Sequence, residues 1–196
     1  MKKAFLVIFL VLLADQVLKI WVKTNMYLGQ DFHIADWFYI HFTENPGMAF
    51  GLEFGGVWGK IALSVFRLIA IGALAYWLRS LIKSKAAGIA ITSVSLILAG
   101  AIGNMLDSLF YGLLFSDSLG RVATFLPPDG GYAPMLQGKV VDMLYFTLYS
   151  GTLPEWIPVW GGDYFIFFRP IFNLADSAIT IGVVLLLLFQ KKVFPK

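Results

Sequence analysis

Four apolar runs, at about 4–22, 61–78, 86–106 and 171–189, set the pattern of the chain. Each approaches the ~20 helical residues that cross a hydrocarbon core, so the pattern predicts four transmembrane helices. Two longer stretches, about 24–60 and 107–170, separate them. In the first, Asp31-Phe32-His33-Ile34-Ala35-Asp36-Trp37-Phe38-Tyr39-Ile40-His41-Phe42 is aromatic and β-branched, which predicts short strands. Asn45-Pro46-Gly47 then marks a turn, because proline fixes φ and glycine permits positive φ. Trp, Phe and Tyr favour the membrane–water interface, so the strands read as a small sheet lying on the bilayer. The second stretch carries loop chemistry in Pro127-Pro128-Asp129-Gly130-Gly131 and Pro134, and a Gly/Pro/Trp-rich piece over 151–162. A lid and an inert insertion both fit a loop of that length. The expected fold is mainly α and integral to the membrane. Residues 1–196 form one domain of four spans, a small outward-facing sheet and a long outer loop.

Charge placement orients the spans. Lys2 and Lys3 precede the first, Arg79, Lys83 and Lys85 fill the tight link between the second and third, and Lys191, Lys192 and Lys196 follow the fourth. No acid falls in these segments, so both termini and the tight link are expected on the cytoplasmic side. Composition agrees: 59% of residues are hydrophobic and 14% charged, against about a quarter charged in soluble domains. The net charge of +3 sits at the ends of spans rather than on one face, which argues against nucleic acid. The start resembles a secretory signal peptide, but no small-x-small site follows and the run continues past Asp15-Gln16, which predicts an uncleaved first span. With no cysteine and only His33 and His41, disulfide, thiol and zinc chemistry are poorly supplied, and no metal or other cofactor is expected.

Carboxylates in or beside lipid-crossing helices are expensive and usually functional. Asp176 lies at the head of the last run and Asp142 at the edge of another apolar stretch. Asp15 and Lys19 are spaced for an ion pair on one helix face, with Lys19 either reaching toward water or helping to position a substrate. Asn104 and Asp107, like Asn173 and Asp176, stand three apart, about 4.5 Å along a helix and on one face. Such amides can simply join helices, and Asn173 can cap one. Two such pairs at one level, with Asp142 delivered from a loop, instead suggest a site. Two close carboxylates in a dry pocket share a proton, which suits an aspartyl hydrolase. A four-span proton or cation carrier is the alternative. Ser64, Ser93, Ser95 and Ser177 have no evident basic partner for a serine nucleophile.

Asp15-Gln16-x-x-Lys19, Asn45-Pro46-Gly47-Met48-Ala49-Phe50, Gly103-Asn104-x-x-Asp107, Val140-Val141-Asp142 and Phe172-Asn173-Leu174-Ala175-Asp176 resemble, in order, the five blocks of lipoprotein signal peptidase, or signal peptidase II. The resemblance implies an aspartyl endopeptidase of the bacterial cytoplasmic (inner) membrane. It would cut diacylglyceryl-modified prolipoproteins just before the lipidated cysteine, with its site toward the periplasmic face. It also implies Asp142 and Asp176 as the catalytic pair, with Asn45, Gly47, Asn104 and Asn173 lining the site and Asp15, Lys19 and Asp107 supporting it. The sheet would cradle substrate, membrane lipids would surround the enzyme, and globomycin-like cyclic peptides would inhibit it. The family pattern usually continues Asn-x-x-Asp with arginine, whereas Ser108 follows Asp107 here. Arg121 and Lys139, from or beside an insertion over 116–138, are the cations expected to replace it.

Overall fold

A computed structural model describes residues 1–47, 56–167 and 169–193 of the chain. Met48, Ala49 and Phe50 of the second block, and Lys196 of the basic tail, lie outside the described residues. The first three apolar runs become helices: α1 (Lys2–Asn25), α2 (Gly56–Lys83) and α3 (Gly88–Leu106). The third continues beyond its expected end through a π-helical turn (Asp107–Tyr111) into α4 (Gly112–Leu114), a helical run of 27 residues. These three are long and apolar enough to cross a membrane.

The fourth run differs from expectation. Asn173 caps the helix, so α5 (Leu174–Leu188) has only 15 residues, and α6 (Gln190–Val193) follows after Phe189. Ile171 and Phe172, read as the start of the span, form strand β6 instead. At ~1.5 Å per residue α5 alone reaches about 22 Å, short of a ~30 Å hydrocarbon core.

The strands expected over 31–42 are present as β1 (Asp31–Ala35) and β2 (Phe38–Asn45). They join β3 (Val140–Phe146) and β6 in one antiparallel sheet of order β1-β2-β3-β6. A separate hairpin pairs β4 (Tyr149–Thr152) with β5 (Tyr164–Phe167). No local signal announces β3, because its partner β2 lies about a hundred residues earlier and its apolar residues are buried on both faces. Its register sets Thr43 opposite Asp142 and Asn45 opposite Val140. Since alternate residues share a face, Asn45 becomes the diagonal neighbour of Asp142.

The insertion over 116–138 has no regular element, yet it is tied down along its length. Ser118 O accepts from Leu28 N, Tyr132 N donates to Phe115 O, Ala133 N to Gly112 O and Gly138 N to Ser108 O, at 2.9 to 3.0 Å. Lys23, fully buried, donates to Glu44 and to Ser118 Oγ and lies over the Tyr132 ring. This loop is fastened to α1, to α4 and to the π turn, unlike a free flap.

Small residues let α3 run against α5, as close helix approach in membranes requires. A Cβ built on Gly100 would lie 2.2 Å from the Ala175 carbonyl oxygen, and one on Gly103 2.8 Å from Asp15 Oδ2. Gly100→Val should therefore lower stability by about 1–3 kcal/mol through overpacking. Gly72→Ala, with nothing within 4 Å of the new methyl, should be neutral or stabilising. Thermal unfolding in detergent distinguishes them, and equal melting temperatures would contradict this packing.

Candidate active site

Three polar layers meet where the helices reach the sheet. The first is the start of α5. Asn173 is its N-cap: its Oδ1 accepts from Asp176 N at 2.9 Å, and Asp176 Oδ2 accepts from Asn173 N at 3.3 Å, which closes a capping box. Asp176 thus stands in the first turn, at the positive end of the helix dipole. Asp15 Oδ1 accepts from Ala175 N at 2.9 Å, so a side chain of α1 caps the same helix end.

The second layer holds the two acids. Asn173 Nδ2 donates to Asp142 Oδ1 at 2.6 Å and Asn45 Nδ2 to Asp142 Oδ2 at 3.3 Å. Asn104 Nδ2 donates to Asp176 Oδ1 at 2.7 Å, while its Oδ1 accepts from Lys19 Nζ at 2.9 Å and Asn173 Nδ2 at 3.0 Å. Donor rules fix these amides. Lys19 can only donate, so the oxygen of Asn104 faces it and the NH2 faces Asp176. The backbone N–H of Asp176 fixes Asn173 in the same way, which leaves its NH2 for Asp142 and Asn104.

The third layer is an ion cluster. Lys19, with no exposed surface, lies 3.0 Å from Asp15 Oδ2 and 2.8 Å from Asp107 Oδ2. It points into the protein, not toward water, because two buried carboxylates surround it. Gln16 Nε2 donates to Asp107 Oδ1 at 3.0 Å and to Asp15 Oδ2 at 3.1 Å, and Tyr111 Oη donates to Gln16 Oε1. Asp107 Oδ2 also accepts from Val141 N at 3.2 Å, which fastens β3 one residue before Asp142.

Burial, and next the neighbouring Asp176 charge, push Asp142 up to about 7; the amides of Asn45 and Asn173 pull the other way by bonding its ionised form. The pair can therefore hold one proton near neutrality, drawn toward Asp142.

Gly47 does not touch the acids. Its N–H donates to Asn45 Oδ1 at 2.8 Å, with φ at +104°. Neither expected replacement cation joins the site: exposed Arg121 pairs with exposed Asp117, and Lys139 lies 3.3 Å from Glu44. A further cation, Arg67 of α2, interacts electrostatically with Asp176, Asp107 and Asp142. The sequence reading missed it, although it is the only charge within 61–78. Ser93, Ser95 and Ser177 each bond a carbonyl one turn back on their own helices, and Ser64 bonds the Leu136 carbonyl. Among the described residues, no group of three or more His, Asp or Glu side chains could hold a metal ion.

Two outcomes follow from this geometry. Lys19→Met strands Asp15 and Asp107 as buried, unneutralised acids and should cost about 3–5 kcal/mol in unfolding experiments; a loss within about 1 kcal/mol would contradict the cluster. The native protein keeps the Asp142 proton in a range where the unfolded chain has lost it. Its contribution to stability should therefore decline as pH rises from 3.8 to about 7, and Asp142→Asn should remove that slope.

The chain is similar to known proteins over most of its length. The family model described as "Signal peptidase (SPase) II" matches residues 7–191. A lipoprotein signal peptidase of Porphyromonas gingivalis is 53% identical over 181 residues, covering 92% of this chain and 79% of the relative. One from Amoebophilus asiaticus is 40% identical over 186 residues, covering 93% and 75%. A solved bacterial membrane enzyme, determined by the in meso method at 1.9 Å, has a TM-score of 0.63 at 26% identity, covering 99% of this chain and 96% of that one. The chain belongs to the lipoprotein signal peptidase family, signal peptidase II, and is a multi-pass membrane aspartic endopeptidase.

Proposed function

We propose that Asp142 and Asp176 are the catalytic pair, acting on diacylglyceryl-modified prolipoproteins just before the lipidated cysteine. The observation that carries this reading is the mutual geometry of the two acids. They come from a strand and a helix start, are each held by a dedicated asparagine amide, and share the bridge from Asn173 to Asn104. In the reaction, Asp176 takes a proton from water as the water oxygen bonds to the scissile carbonyl carbon. Asp142 donates its proton to the carbonyl oxygen. Collapse of the tetrahedral species breaks the C–N bond: one hydroxyl proton returns to Asp142 as the carboxyl group forms, and the proton on Asp176 passes to the leaving amine. Asn45, Asn104 and Asn173 hold the carboxyl groups, Gly47 fixes Asn45, and Asp15, Lys19 and Asp107 support them from beneath. No metal or other cofactor enters these steps.

The basic residues at both termini and in the tight link support a cytoplasmic placement of those ends. The site then lies toward the periplasmic face of the bacterial inner membrane, with the sheet as an outward cradle for substrate. Helices α5 and α6 together, residues 174–193, reach about 30 Å and would complete a fourth crossing. Residues 1–196 act as one domain. Membrane lipids surround it, globomycin-like cyclic peptides compete with substrate for the site, and nucleic acid has no part.

Purified protein in lipid nanodiscs, given a diacylglyceryl-modified prolipoprotein, provides the test. Asp142→Asn and Asp176→Asn should each lower kcat by about 10³-fold or more, since the acids act as a unit. The unlipidated precursor should be cut far more slowly. Wild-type rates from either variant would remove the pair, and equal rates on both precursors would remove the lipid requirement.

A further inference from the structure

Arg67 has no part in the steps above, although a guanidinium within a membrane-crossing helix is expensive enough to need a reason. It sits well inside α2 and is partly buried. Among the described residues, its one hydrogen bond runs from Nη2 to the Gly47 carbonyl oxygen, at 2.6 Å. Gly47 is shaped for this contact. Its φ of +104° suits glycine, and an added Cβ would stand 3.1 Å from Arg67 Nη1. Gly47 is also held at its other end, where its N–H donates to Asn45 Oδ1 at 2.8 Å. That bond settles the orientation of the Asn45 amide, which leaves Nδ2 to face Asp142 Oδ2 at 3.3 Å. A continuous line of contacts therefore runs from Arg67 through Gly47 and Asn45 to Asp142.

Charge supplies the second half of the argument. The acids that interact electrostatically with Arg67 are Asp176 on α5, Asp107 in the π-helical turn after α3 and Asp142 on β3, while Lys19 of α1 is the other cation acting on Asp142. With one proton on the pair, Asp15, Asp107, Asp142 and Asp176 carry three negative charges against the single positive charge of Lys19. Arg67 halves that excess. Without it, the carboxylates would more readily take up a second proton and leave the pair without a base.

We propose that Arg67 is a positioning residue for Asp142: it clamps the Asn45–Gly47 turn that orients the Asp142 carboxyl, and its charge keeps the pair at one proton. The proposal rests on Asp142 and Asp176 being the catalytic pair, so the test includes variants of both. Full-length wild type, Arg67→Gln, Arg67→Lys, Asn45→Ala and the Arg67→Gln/Asn45→Ala double variant are assayed in nanodiscs across pH, beside Asp142→Asn and Asp176→Asn. At its own pH optimum Arg67→Gln should lose roughly 10- to 100-fold in kcat, with KM within about threefold of wild type. Its pH–rate profile should move to higher pH, because removing a cation favours protonated carboxyl groups. Arg67→Lys keeps a charge and a donor and should restore most of the rate. On the Asn45→Ala background, Arg67→Gln should cost less than about threefold more, since residues on one line of contacts are not additive. An unchanged rate and pH profile, a loss confined to KM, or losses that multiply in the double variant would each overturn the proposal. Should Arg67→Gln fail to fold, Arg67→Lys decides: kcat within about tenfold of wild type supports the role and a greater loss overturns it. Full activity of Arg67→Gln beside inactive aspartate variants removes only the role of Arg67, whereas active aspartate variants remove the pair itself.

Discussion

Lys19 is the constraint from which the rest of the site follows. A buried ammonium is stable in this apolar bundle only with opposite charge and full hydrogen bonding around it, and Asp15, Asp107 and the Asn104 oxygen provide both. Each partner then has a second duty. Asp15 caps α5 through Ala175 N, Asp107 anchors β3 through Val141 N, and Asn104 presents its NH2 to Asp176. One cation thereby ties α1 to α3 and, through its partners, fixes the two elements that deliver the acids.

The asparagines turn that frame into a chemical arrangement. An amide carries a donor end and an acceptor end, so a fixed donor on one side forces the direction of the other. Asn104 is oriented by Lys19, Asn173 by the backbone of Asp176, and Asn45 by Gly47 N. Their NH2 groups all point at carboxylate oxygens. The two acids also come from different elements, Asp176 from a helix start and Asp142 from a strand. Two chemically identical side chains are thus placed in unlike surroundings, the general condition for acid and base roles to separate.

Much of this was legible in the sequence because lipid makes polar residues conspicuous. Asp15, Lys19, Asn104, Asp107, Asn173 and Asp176 stand out against apolar runs, and helical spacing places them on shared faces. The strands over 31–42 were readable from their aromatic and β-branched residues. Strand β3 was not, since its pairing with β2 spans most of the chain and no local signal reports it. The first turn of α5 was misjudged because Ile171 and Phe172 are as apolar as the helix they precede, yet bond to Leu144 and Tyr145. Arg67 was visible as a lone charge in a span, but only folding shows that it bonds Gly47 and interacts electrostatically with the acids. Arg121 and Lys139 stood out as cations by position alone, and in the fold they pair with Asp117 and Glu44.

The central claim is that Asp142 and Asp176 hold a single proton in the resting enzyme, with Asp142 keeping it until about 7. Infrared difference spectroscopy of the protein in nanodiscs, titrated across pH, reads the carbonyl stretch of a protonated carboxyl directly. The account predicts a component of that band that persists below neutrality, disappears with a midpoint near 7, and is lost from Asp142→Asn. Loss of that band with an ordinary carboxylate midpoint, or its undiminished presence in Asp142→Asn, would contradict it.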